Sequence, residues 1–150
     1  MGGMNASEIG KSQRSMLRRR LRAAVAEQPE IKALRTLLLD LAGTELVAPP
    51  RCDFDIPILI TAGFVMGGPI KLKIMGRSAC HQNLARLWGR KRSGLIGIGT
   101  GYALSGDGLW RQHSCGVARQ GVVETTQMRE MYFGRLLQGQ DADRFAVANG

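Results

Sequence analysis

Residues 80–92, CHQNLARLWGRKR, followed by residues 95–126, LIGIGTGYALSGDGLWRQHSCGVARQGVVETT, decide how this chain folds. In the first stretch Leu84, Leu87 and Trp88 recur at helical spacing, which predicts an amphipathic helix over 80–92 with Cys80 at its start. Cys80 stands four residues before Leu84, so its sulfur is expected on the inward side, at the helix N-terminus. In the second stretch Gly106-Asp107-Gly108 and Arg119-Gln120-Gly121 interrupt apolar runs. That predicts strands over 95–105, 109–118 and 122–126 joined by tight turns into an antiparallel meander. The fold class that follows is α+β, a cysteine-bearing helix packed on a short antiparallel sheet.

Outward from this centre, residues 1–11 are Gly-rich and polar, an expected mobile end, and 12–150 are expected to form a single domain. Ser12 can cap a helix carrying Met16, Leu17, Leu21, Ala24 and Val25 on one side. Pro29 suits the first turn of a second helix, where Ile31, Leu34, Leu38 and Leu41 repeat and Gly43 ends the run. Residues 12–43 thus read as a helical hairpin laid on the sheet. Residues 44–78 carry Pro49, Pro50, Pro57 and Pro69 and read as loop-rich, with strand-like pieces only at 58–65 and 70–75. Residues 128–137 read as helical and 141–147 as a short terminal helix. Gly97, Gly99 and Gly101 are not a dinucleotide fingerprint, because strand and hairpin follow rather than a helix; they keep the strand flat near a substrate channel or mark a bulge.

No apolar run approaches the roughly 18 residues that a bilayer requires, so a soluble protein is expected. The first segment lacks a signal-peptide core, Ala6 breaks the myristoylation pattern, and three cysteines make no disulfide framework. A reducing cytoplasm fits these features. The net charge of +9 is uneven: residues 1–28 hold six basic and two acidic groups, and residues 80–92 hold Arg86, Arg90, Lys91 and Arg92 with no acid. Two such patches point to an anionic partner or carrier, or to a solvated face. Aromatic content is 5% and no basic stretch interleaves with rings, so nothing indicates nucleic acid, although the charge permits it.

The chemistry concentrates on one pair. A thiol at a helix N-terminus is favoured as thiolate by the dipole and free backbone N–H groups, and the N–H groups of Ala79 and Cys80 can hold a developing oxyanion. Strand alternation places His113 on one face with Leu109, Arg111, Cys115 and Val117, where an imidazole can serve Cys80 as base. The third group depends on the last turn. An even loop puts Glu124 on the His113 face, whereas a three-residue loop puts Thr125 and Gln127 there; Glu124 is preferred and Gln127 is the alternative. Asn83, Tyr102, Arg111 and Cys115 are the candidate substrate contacts. Asp53 and Asp55 read as solvated. Cys80, His81, His113 and Cys115 form a rival zinc set, disfavoured because adjacent helical ligands diverge by about 100°; no metal or cofactor is expected.

Cysteine on a helix, histidine on a strand and a polar residue on the next strand resemble the papain-like superfamily in its short bacterial and transglutaminase-like forms. The segments Cys80-His81-Gln82-Asn83, Gly101-Tyr102-Ala103-Leu104, Trp110-Arg111-Gln112-His113-Ser114, Val123-Glu124-Thr125-Thr126 and Tyr132-Phe133-Gly134 are similar to small bacterial and phage proteins of that type. The resemblance covers about residues 77–135. It implies a nucleophile at Cys80, a base at His113, an orienting residue at Glu124, and hydrolysis or acyl transfer on an amide, ester or thioester. Cys115 stands where such proteins often carry a large aromatic. The alternative function is a non-enzymatic basic binding module for an anionic partner, with or without structural zinc.

Overall fold

A computed structural model describes residues 10–90 and 92–150. Residues 1–9, most of the segment expected to be mobile, and Lys91 lie outside the described residues. The chain begins with α1 (Lys11–Glu27), α2 (Ile31–Leu41), β1 (Glu45–Leu46), α3 (Ile56–Ala62), β2 (Phe64–Met66) and β3 (Ile70–Leu72). It continues through α4 (Cys80–Trp88), β4 (Leu95–Leu104), β5 (Leu109–Ala118), β6 (Gly121–Glu124), β7 (Met131–Leu137) and α5 (Gly139–Asn149). This is a mixed α+β architecture.

The sheet runs β2-β7-β4-β5-β6-β3, with β1 added beside β5. Its middle is the antiparallel meander β4-β5-β6, and only β1–β5 and β3–β6 are parallel. One face carries two helical layers side by side. The α1–α2 hairpin and α3 bury Leu21, Leu34, Leu38 and Leu59 against Tyr102, Trp110 and Phe133. Further along that face, Leu84 and Leu87 of α4 and Ala142 of α5 pack on Ile98, Val123 and Leu137. The other face curls over a small cluster of Met66, Ala103, Cys115, Val122 and Tyr132. Met66 on edge strand β2 thereby reaches a residue of β5, two strands beyond its neighbour β7.

Glycines make that curl close enough. A Cβ on Gly99 would lie 2.6 Å from the Met66 sulfur and 2.9 Å from that of Cys115, and one on Gly101 would lie 2.3 Å from the Phe133 carbonyl oxygen. The glycine run therefore serves the closed inner face and the β4–β7 approach rather than a substrate channel, while a register shift between Leu95 and Gly97 supplies the expected bulge.

Several elements differ from the sequence reading. Residues expected to begin a strand at 58 form α3, because Pro57 occupies the first turn, where a missing N–H costs nothing, and Ile56 and Leu59 bury one helical side. The helix expected over 128–137 is strand β7. Paired on both sides, it buries Tyr132 on one face and Phe133 on the other, which erases the period-two signal. Ser12 does not cap α1, which starts one residue earlier after an extended Gly10. The Cys80 helix ends at Trp88, since Gly89 and Arg90 turn away, so Arg90 and Arg92 lie beyond it. Arg18, Arg19, Arg20, Arg22 and Arg86 are exposed on α1 and α4. Among the described residues, no helix is long and apolar enough to cross a membrane.

Candidate active site

The site lies at a gap in the outer edge of β5. On the side away from β4, this edge is paired by β1 at Leu109–Trp110 and by β6 at Gly116–Ala118. Between them, α4 brings its N-terminus to the strand. There the backbone amide of Ser114 donates to the Cys80 thiol, and the His113 imidazole hydrogen-bonds the same sulfur. Gly116 admits the helix: a Cβ there would lie 3.4 Å from a Leu84 methyl and 2.7 Å from one of Leu95.

The approach to Cys80 is clamped rather than loose. Asn83 Oδ1 accepts from the Gly76 amide at 3.2 Å, and its Nδ2 donates to the Gly76 carbonyl at 2.8 Å and to Thr125 Oγ1 at 3.2 Å. One buried amide thus ties the 76–79 loop, α4 and the end of β6 together. Both ends of Asn83 are committed, so it holds the loop instead of offering an amide to the cavity. Asn83→Ala should destabilise the protein by about 1–3 kcal/mol in urea unfolding, since it strands buried partners. An unchanged midpoint would remove the clamp from this account. Within the loop, Ser78 adopts φ +52, a left-handed conformation that a non-glycine residue holds only when its surroundings fix it.

The last turn is Arg119-Gln120, with Ala118 opposite Gly121, so the loop is even and Glu124 shares the face of His113. His113 Nε2–H donates to Glu124 Oε1 at 2.8 Å, which leaves Nδ1 as the nitrogen for Cys80. Glu124 is fully buried and saturated with donors. Tyr132 Oη donates to Oε1 at 2.8 Å, and the Thr126 amide and hydroxyl donate to Oε2 at 2.8 and 2.9 Å. Tyr132 and Thr126 were not singled out from the sequence. Reading 131–137 as a strand places Tyr132 opposite Ala103 and hence, through Arg111, on the His113 face. Gln127 lines the cavity instead of meeting His113.

Electrostatics follow from these contacts. Burial pushes the Glu124 carboxyl up, but the hydrogen bond and charge of His113, with the Thr126 and Tyr132 donors, more than offset it and bring it down to about 2. Burial pulls the His113 imidazolium down, and the bonds to Cys80 and Glu124 overcome this and raise it. For Cys80 burial again opposes ionisation, yet the His113 imidazolium and the amides of Ser114 and His81 lower its pKa. Cys115 has only the Gly99 amide to help it. Burial, with the negative charges of Glu124 and Cys80, pushes it up to about 12.

The remaining sequence candidates divide clearly. Arg111 lines the same cavity of about 640 Å³ as Cys80 and His113. Cys115 is buried in the cluster under the curled face, and Tyr102 is buried on the opposite face, where its hydroxyl donates to Asp53 Oδ2 at 2.8 Å. Neither lines the cavity. Asp53, read as solvated, is buried, because Gln28 and Tyr102 satisfy its loop; Asp55 accepts from Arg135 at 3.1 Å. His81 Nδ1 meets Ser114 Oγ on the helix-covered face, and burial with the His113 charge lowers its pKa. His81 and Cys115 therefore lie on opposite sides of β5, so the rival zinc set does not assemble; no group of three or more His, Cys, Asp or Glu among the described residues is placed to hold an ion. Arg77 and Arg129 join the cavity wall from loop positions that carry no periodic signal, and Gln112 joins it from β5, from the strand position beside His113.

No protein-family model, curated protein or solved structure matches the chain.

Proposed function

We propose that this protein is a cysteine-dependent acyl hydrolase or acyltransferase with papain-like site logic, working on an amide, ester or thioester carbonyl. The observation that carries the reading is the ordered chain from Cys80 through His113 to a Glu124 held by four donors. An inert core thiol has no use for a buried ionised carboxylate behind its histidine. Cys80 attacks the carbonyl as thiolate, forming the S–C bond, while the Cys80 amide, in the first turn of α4 and without an intrahelical acceptor, is the donor available to the developing oxyanion. His113 gives its Nδ1 proton to the leaving amine or alcohol as the tetrahedral adduct collapses to the acyl-enzyme. It then takes a proton from water or an acceptor amine that attacks the thioester, and the thiolate leaves. Glu124 keeps the imidazole oriented and supports its charge throughout.

Reactivity tests this without a substrate. Iodoacetamide near neutral pH should label Cys80 first, by peptide mapping, with Cys115 protected by its burial and raised pKa. Cys52 is exposed and serves as the accessible comparison thiol. Labelling of Cys80 no faster than Cys52 at pH 6, where ordinary thiols are protonated, would overturn the nucleophile assignment.

A further inference from the structure

The wall of the Cys80 cavity has a chemistry of its own. Apart from Cys80 and His113, its described side chains are polar, with three arginines, Arg77, Arg111 and Arg129, and no carboxylate, aliphatic or aromatic residue among them. The three cations differ in how far their charge is already used. Arg111 at the rim is paired with Asp107 at 2.7 and 3.2 Å. Arg77 is exposed and has no hydrogen-bond or ion-pair partner among the described residues. Arg129 is only 9% exposed, and donates from Nη1 to Ser105 Oγ at 2.7 Å and from Nη2 to Thr126 Oγ1 at 3.2 Å. Its Nε is buried and donates to nothing; Glu124 Oε1 stands 3.8 Å away, too far for a hydrogen bond and already taken by His113 and Tyr132. The buried Arg129 guanidinium is paired in charge with Glu124 and so adds a fixed positive charge behind the wall rather than an open donor.

We propose that this cavity selects an acyl donor bearing an oxyanion, carboxylate or phosphate, close to the reacting carbonyl, gripped by Arg77 and Arg111 with Arg129 reinforcing the field. The proposal rests on Cys80 being the nucleophile. A fatty or aromatic acyl group finds no aliphatic or aromatic side chain in this wall, whereas an oxyanion gains charge-assisted, bidentate hydrogen bonds from guanidinium groups. Arg77 has no carboxylate to compete with an incoming anion, whereas Arg111 shares its charge with Asp107 and Arg129 with Glu124.

Iodoacetate and iodoacetamide test the proposal directly. In both, the thiolate displaces iodide and forms one S–C bond, so the reagents differ only in carboxylate against carboxamide. The ratio of their rate constants at Cys80, divided by the same ratio for free glutathione, should exceed about 10 at low ionic strength and collapse toward 1 in about 0.5 M salt. Arg77→Gln and Arg111→Gln should each lower this ratio severalfold, while Arg144→Gln, exposed on α5, should leave it unchanged. A ratio near 1 with Cys80 still reactive overturns the anion preference alone. A high ratio untouched by both arginine variants assigns the preference to the His113 imidazolium and overturns it equally. Cys80 inert toward both reagents instead overturns the nucleophile reading. The pocket is then judged by thermal shift with glutarate and with inorganic phosphate at matched ionic strength: stabilisation by one names the carboxylate or phosphate source, and by neither overturns the site.

Discussion

His113→Gln should slow Cys80 alkylation at pH 6 by on the order of tenfold and make its pH-rate profile steeper. The wild-type thiol is lowered because an imidazolium donates to it, against the burial that pushes it up. Removing that cation leaves only the Ser114 and His81 amides to oppose desolvation, so the thiolate fraction at pH 6 drops by about two orders of magnitude. Part of this is returned, because a thiolate of higher pKa is more nucleophilic, with a Brønsted slope near 0.5. Glutamine is the chosen replacement because its amide N–H can still donate to Glu124, which alanine would leave as a buried carboxylate short of a partner. Circular dichroism and urea unfolding establish that the variant is folded. A folded variant with the wild-type profile would show that Cys80 owes nothing to His113, and the dyad would be abandoned.

What the sequence made legible was the part governed by local rules. Leu84, Leu87 and Trp88 at helical spacing, and the Gly106-Asp107-Gly108 hairpin, place Cys80 on a helix and His113 on a strand without knowledge of anything distant. The third residue was a question of parity. Whether two or three residues form the turn around Arg119-Gln120-Gly121 reverses every side chain after it, and composition gives both readings; the pairing of Ala118 with Gly121 resolves it. β7 was hidden for a different reason. Burial of Tyr132 and Phe133 on opposite faces erases the alternation, and a segment of seven residues fits about two helical turns as well as a strand. Tyr132 and its bond to Glu124 went with it. Asn83 was a candidate because it lies three residues from Cys80, but spacing along a helix says nothing about the Gly76 loop and Thr125 that occupy it.

Glu124→Gln should cost about 3 kcal/mol of stability at pH 7 and flatten the acid limb of the stability curve, two effects that share one cause. The carboxyl titrates at about 2 in the folded protein against an ordinary 4.5, and that displacement corresponds to roughly 3 kcal/mol at 1.36 kcal/mol for each tenfold change. Because the folded value is the lower one, the contribution is complete above about pH 4.5 and is lost as pH falls toward 2. His113, whose folded value is raised, contributes in the opposite sense, fully below its ordinary 6.5 and less as pH climbs through the folded value. The wild type should therefore lose urea resistance steeply between pH 4.5 and 2, and the variant should be weaker at neutral pH and shallower over that interval, the remaining slope coming from Glu45 and Asp107, which their arginines also lower. Glutamine keeps the volume, yet it sets its own NH₂ among groups that donate, His113 Nε2–H, Tyr132 Oη and the Thr126 amide and hydroxyl, so at least one buried donor loses its acceptor. The same substitution removes the charge that raises His113, and alkylation of Cys80 at pH 6 should fall with it, by about tenfold. A role limited to packing would change the urea midpoint and leave the pH dependence of alkylation where it was; an acid limb that persists unchanged in the variant would place the controlling carboxylate elsewhere in the fold.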